Sequence, residues 1–78
     1  MNVLHLVKMA NDIGAFFESD PDPSKGAKAV ADLIRNFWDP RMRREILHYV
    51  DREPQSNLKD IVVRALTNHR QELSVGIH

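Results

Sequence analysis

The densest chemistry in this 78-residue chain is Trp38-Asp39-Pro40-Arg41-Met42-Arg43-Arg44, with three arginines within four residues and the single tryptophan beside them. A guanidinium group can hold a carboxylate or a phosphate through two parallel hydrogen bonds. Arg and Trp are also enriched among the residues that dominate binding at protein interfaces. The candidate partner-binding set is therefore Trp38, Arg41, Arg43 and Arg44. Leu47 joins it because it lies off the main apolar stripe of its helix, on the flank of Arg43. The bland alternative is a solvated basic corner with an isolated exposed leucine.

The remaining reactive side chains do not assemble. Of the four histidines, His5, His48, His69 and His78, no two stand three or four residues apart, and no carboxylate joins them in a ligand pattern. Ser19, Ser24 and Ser56 fall at turns or caps, and Thr67 lies on a helix. No nucleophile–base pair or carboxylate pair can be drawn from these spacings. The chain has no cysteine, which excludes disulfides, thiolate zinc sites and iron–sulfur ligation within it. Gly26, with a lysine nearby, lacks the spacing of a phosphate loop, and no strand precedes it. The expected catalytic, cofactor-binding and metal sites are none.

The arginine corner must be positioned by helices. Asp39 is a good N-cap and Pro40 suits the first helical position, so one helix stops near Trp38 and another starts at Pro40. The arginines then occupy a helix N-terminus, the unfavourable end for cations by roughly 0.3–1 kcal/mol each when exposed. If this surface is an interface, exchanging Arg43 and Arg44 together for Glu is expected to abolish co-purification of a partner yet leave thermal stability almost unchanged or raised.

Apolar spacing predicts four helices. The first runs from about Asn2 to Glu18, with one flank of Val3, Val7, Ala10 and Gly14 and another of Leu6, Met9, Ile13 and Phe16. Together the flanks exceed the roughly 100° stripe of a surface helix, so the helix is either buried between two neighbours or has one flank on another protein. Close approach of a second backbone would rationalise Gly14. The second helix starts at Asp22-Pro23 and reaches about Trp38, burying Ala27, Val30, Leu33, Ile34 and Phe37. Trp38 lies at the margin, half in the core and half at a contact. The third spans Pro40 to about Arg52, with Met42, Ile46, Tyr49 and Val50 inward and Glu53-Pro54-Gln55 as its stop. The fourth, capped by Ser56 or Asn57, reaches about Arg70 with Leu58, Ile61, Val62, Ala65 and Leu66 inward. Leu73, Val75 and Ile77 then alternate with polar or small residues, as in a lone strand. That stretch is expected to be a flexible tail, or an arm that docks on a partner. The fold class is all-α, a small bundle of four short helices, with residues 1–71 as the domain and 72–78 as the tail.

The formal net charge is zero, which argues against a strongly basic nucleic-acid binder. No stretch has the length of a membrane span or the core of a signal peptide.

Asn36-Phe37-Trp38-Asp39-Pro40-Arg41-Met42-Arg43-Arg44 resembles the signature of the small delta subunit of NAD-dependent, molybdenum-containing formate dehydrogenases. Leu6-Val7-Lys8-Met9-Ala10-Asn11-Asp12-Ile13-Gly14-Ala15-Phe16-Phe17 is similar to the opening of the same family. The resemblance extends from about Val7 to Leu66. It implies a cytoplasmic, non-catalytic accessory subunit that supports assembly or stability of the complex through contacts with the larger formate dehydrogenase subunits. It also implies that molybdopterin, iron–sulfur clusters, FMN and NAD reside in those larger subunits. The rival reading is a small helix-turn-helix-like nucleic-acid-binding regulator, with Arg at the start of the second helix of the corner. A stand-alone enzyme is a third.

Overall fold

The computed structural model describes residues 2–53 and 57–77. It contains five helices: α1 (Val3–Phe17), α2 (Pro23–Phe37), α3 (Pro40–Arg52), α4 (Asp60–Asn68) and α5 (Arg70–Leu73). The first three begin as their local chemistry requires. Asn2, Asp22 and Asp39 accept backbone N–H bonds from Leu4, Ser24 and Met42, at 2.9 Å in each case. Pro23 and Pro40 occupy the first helical position, where an N–H would lack an intrahelical acceptor.

Helix α4 starts later than expected. Lys59 is its N-cap and provides no side-chain capping bond. The position is set instead from across the bundle by Asn11 on α1. The Asn11 side chain accepts from the Lys59 N–H at 3.0 Å and donates to the Asn57 carbonyl at 2.7 Å. Ser56, the other expected cap, and the Pro54-Gln55 stop lie outside the described residues.

Helix α2 is central and packs against α1, α4 and α5. Three of its five buried residues are small, Gly26, Ala27 and Ala31, and the others are Val30 and Ile34. A Cβ on Gly14 would lie 2.8 Å from Val62 Cγ2 and 3.0 Å from Ile61 Cγ2. The close neighbours of Gly14 are thus side chains of α4, not a second backbone. The close backbone approach is at Gly26, where a Cβ would lie 3.0 Å from the Phe17 carbonyl oxygen.

The alternating stretch after Glu72 is not a strand among the described residues. The one-turn helix α5 puts Leu73 fully into the core, and Ile77 packs against it. The boundary expected between a domain and a flexible tail at residue 72 falls inside this helix. Two ion pairs hold α5 from outside. Arg70 reaches Asp51 on α3 with two bonds of 2.7 Å, and Lys28 on α2 lies 3.3 Å from Glu72.

Two outcomes follow from this packing. Leu73→Ala removes a fully buried side chain and is expected to destabilise the fold by about 2–5 kcal/mol in urea denaturation, as for any core leucine. A loss near zero would return the segment to a tail. The second outcome concerns acid. Hydrogen bonds from Arg70 to Asp51, and from Lys28 to Glu72, hold both carboxyls below their ordinary range. A depressed carboxyl pKa contributes stability above its unfolded value, about 4, and loses it as pH falls through the folded value. The melting temperature is expected to drop below about pH 4. Asp51→Asn should lower it at pH 7, and the difference from the parent chain should narrow in acid.

Candidate protein-binding surface

Asp39 and Pro40 build the corner between α2 and α3 as their chemistry dictates. Trp38 is the C-cap of α2, in extended conformation, and its N–H donates to the Ile34 carbonyl. That backbone turn swings the indole inward, where it is 5% exposed. The phenyl ring of Phe37, one residue earlier, is left 79% exposed. Both placements differ from the sequence expectation of a buried Phe37 and a half-exposed Trp38. The two rings, on adjacent residues, thus fall on opposite sides of the core boundary.

Arg43 is also buried, at 4% exposure. Its Nε donates to the Trp38 carbonyl at 3.2 Å, and its Nη1 donates to the carbonyls of Leu73 at 2.8 Å and Val75 at 2.7 Å. Burial draws its pKa down, helped by the nearby charge of Arg35 and opposed by Asp39. Leu47, one turn further along α3, is 3% exposed. The C-terminal segment closes over this flank, and Gly76 lies against Pro40 and Arg43. A flexible tail would leave Arg43 without two of its three acceptors, so its inward placement depends on the C-terminal segment being docked.

Of the five residues expected at a partner surface, the structure therefore turns Trp38, Arg43 and Leu47 into the interior. Arg41 is exposed and Arg44 is half-buried, and neither has an ion-pair partner among the described residues. The burial of Arg43 overturns the expectation that its exchange for Glu is harmless. A carboxylate there would face three carbonyl oxygens.

A second outward feature lies on the α1 flank that carries Ile13 and Phe16. Phe16 is 77% exposed. It meets Phe17 edge-on, with ring centroids 4.9 Å apart. Asp12, Ile13, Phe16, Phe17 and Leu33 line a shallow, almost wholly apolar groove of about 320 Å³ between α1 and α2. Phe37 does not line the groove; it stands exposed one helical turn beyond Leu33 on α2. The sequence signal was the over-wide apolar face of α1. On α2 the signal was misleading, since Leu33 and Phe37 read as core.

Phe17 also lines an adjoining recess with Glu18, Asp20, Pro23, Asp60, Ile61 and Arg64. Lys59 pairs with Glu18 at 3.3 Å. Among the described residues, no group of three His, Cys, Asp or Glu side chains converges as a metal site. His5 and His48 are exposed, His69 lies 3.4 Å from Glu72, and His78 falls outside the described residues. No helix of the described chain is long and apolar enough to cross a membrane.

Arg43 generates a direct test. Arg43→Ala leaves the Leu73 carbonyl without its buried donor and is expected to cost roughly 2–4 kcal/mol in denaturant unfolding. Arg43→Lys should recover only part of this, since one ammonium cannot reproduce the fork. A loss below about 0.5 kcal/mol for Arg43→Ala would contradict a structural role.

Residues 5–66 match the family model described as NADH-dependent formate dehydrogenase delta subunit, FdsD. No curated protein and no solved structure matches the chain.

Proposed function

Because the chain belongs to the NADH-dependent formate dehydrogenase delta-subunit family, we propose that it is a non-catalytic accessory subunit of a cytoplasmic formate dehydrogenase. Its role in this reading is to support assembly or stability of the complex by docking on a larger subunit. Molybdopterin, iron–sulfur clusters, FMN and NAD are then the business of the other subunits. The observation that carries the docking role is the outer side of the α2–α3 corner. Arg41 and Arg44 stand at the unfavourable end of a helix without an ion-pair partner among the described residues, and Phe37, on the other side of the Trp38-Asp39 corner in sequence, leaves its ring exposed. Folding gains little from that arrangement, whereas an acidic partner surface would gain two forked cations and an aromatic anchor.

The test is to tag the chain in its native cell and identify what co-purifies, with the variant Arg41→Glu/Arg44→Glu run alongside. The tagged parent is expected to bring down other formate dehydrogenase subunits. The double variant should lose them while keeping or slightly raising its melting temperature, since acids near a helix N-terminus are favoured. Retained binding by the variant would return these two arginines to a solvated corner.

A further inference from the structure

We propose that the α1–α2 groove receives one amphipathic helix of another formate dehydrogenase subunit, lying antiparallel to α2. The inference rests on the accessory-subunit reading and specifies the partner's chemistry.

Ile13, Phe16 and Leu33 line an apolar groove with no covering element among the described residues, and Phe37, one helical turn beyond Leu33, continues its direction as an apolar strip; the Phe16 and Phe37 rings are both more than three-quarters exposed. The groove walls are helices, whose backbone groups are already bonded along the helix axis. An extended segment laid there would find no ladder for its own N–H and C=O groups. A helix satisfies them internally and packs its side chains into the groove.

Length and direction follow from the two ends of the strip. At one end, Phe17 opens onto the recess of Glu18, Asp20 and Asp60, which includes one cation, Arg64. With Lys59 already paired to Glu18, this end is net acidic. At the other end, Phe37 adjoins the corner that carries Arg41 and Arg44. The carboxylates and the arginines thus bracket the strip with opposite charge, although the chain as a whole is neutral. From the level of Gly26, against the Phe17 carbonyl, to Phe37 the strip spans about 16 Å, or about three turns of helix.

A helix of that length is most stable with acids in its first turn and bases in its last. Only one direction suits such a helix here. Its acidic N-terminus meets Arg41 and Arg44, and its basic C-terminus meets Asp20 and Asp60. Since α2 runs from the acidic end to the basic end, the partner helix runs the opposite way.

The experiment places the photocrosslinker p-benzoylphenylalanine at Phe16 or Phe37 in the full chain, expressed with the whole complex, and maps products by mass spectrometry. Both positions are already exposed aromatics, so folding is retained, and melting curves check this. The expected result is crosslinks from both positions to one segment of one other subunit, about eleven residues apart. Products from position 37 should lie N-terminal to those from position 16. Phe16→Asp and Phe37→Asp should each reduce the recovered partner about tenfold or more. Reversed order, two unrelated segments, or crosslinks to a second copy of this chain would overturn the inference. So would the absence of crosslinks from a complex that still co-purifies. If the unmodified chain brings down no formate dehydrogenase subunit, the accessory-subunit reading itself falls, and the inference falls with it.

Discussion

A guanidinium group buried without a carboxylate beside it is expensive unless its donors find other acceptors. Arg43 solves this with backbone carbonyls. Two of its three acceptors sit where helices end: Trp38 caps α2, and Leu73 is the last residue of α5. Carbonyls at helix C-termini are short of donors and carry partial negative charge, so a cation is favoured there. The cation that seems misplaced at the start of α3 is therefore matched to the ends of two other helices. The third acceptor, Val75, extends the grip past α5. Gly76, at φ 81°, then turns the chain in a backbone conformation that few side chains tolerate.

The rest of the bundle depends on that latch. A chain of this length builds only a small core, and it gains from every large apolar side chain it can enclose. With the C-terminal segment held down, Leu73 enters the core, which Trp38 and Leu47 also share. Arg70 and Lys28 add exposed ion pairs of modest worth. On the opposite side, small residues let α2 lie close to α1 and α4, as the contacts around Gly14 and Gly26 show. The chain has no further helix among its described residues to cover the outer groove of α1 and α2. One arrangement thus yields a closed interior and an apolar strip facing out.

The division of labour among the arginines has a functional corollary. Arg43 serves the fold, whereas Arg41 and Arg44 carry no ion pair among the described residues. The matched family stretch ends at residue 66, before α5. The Val75 acceptor is a backbone carbonyl, so the latch sets no side-chain requirement at that position. A motif in the middle of the chain can therefore organise a C-terminal segment whose sequence announces nothing.

The sequence by itself determined the helical class and the ends of the first three helices, because these rest on local chemistry, and it carried the family through the resemblance of Asn36–Arg44 and Leu6–Phe17. Asn2, Asp22-Pro23 and Asp39-Pro40 act on the N–H groups of the next turn wherever they occur, and apolar spacing marks a helix before any neighbour is known. Tertiary structure alone decided how each helix is rotated about its axis. Periodicity defines a stripe on α2 but leaves open whether Phe37 or Trp38 faces the core. The same holds for Arg43 on α3, which turns inward onto carbonyls that α5 and the segment after it supply. The late start of α4 depends on Asn11, 48 positions before Lys59, a pairing no local rule contains. The acceptors of Arg43 were the least visible of all. Every residue carries a backbone carbonyl, and only the folded chain selects which three converge on one guanidinium.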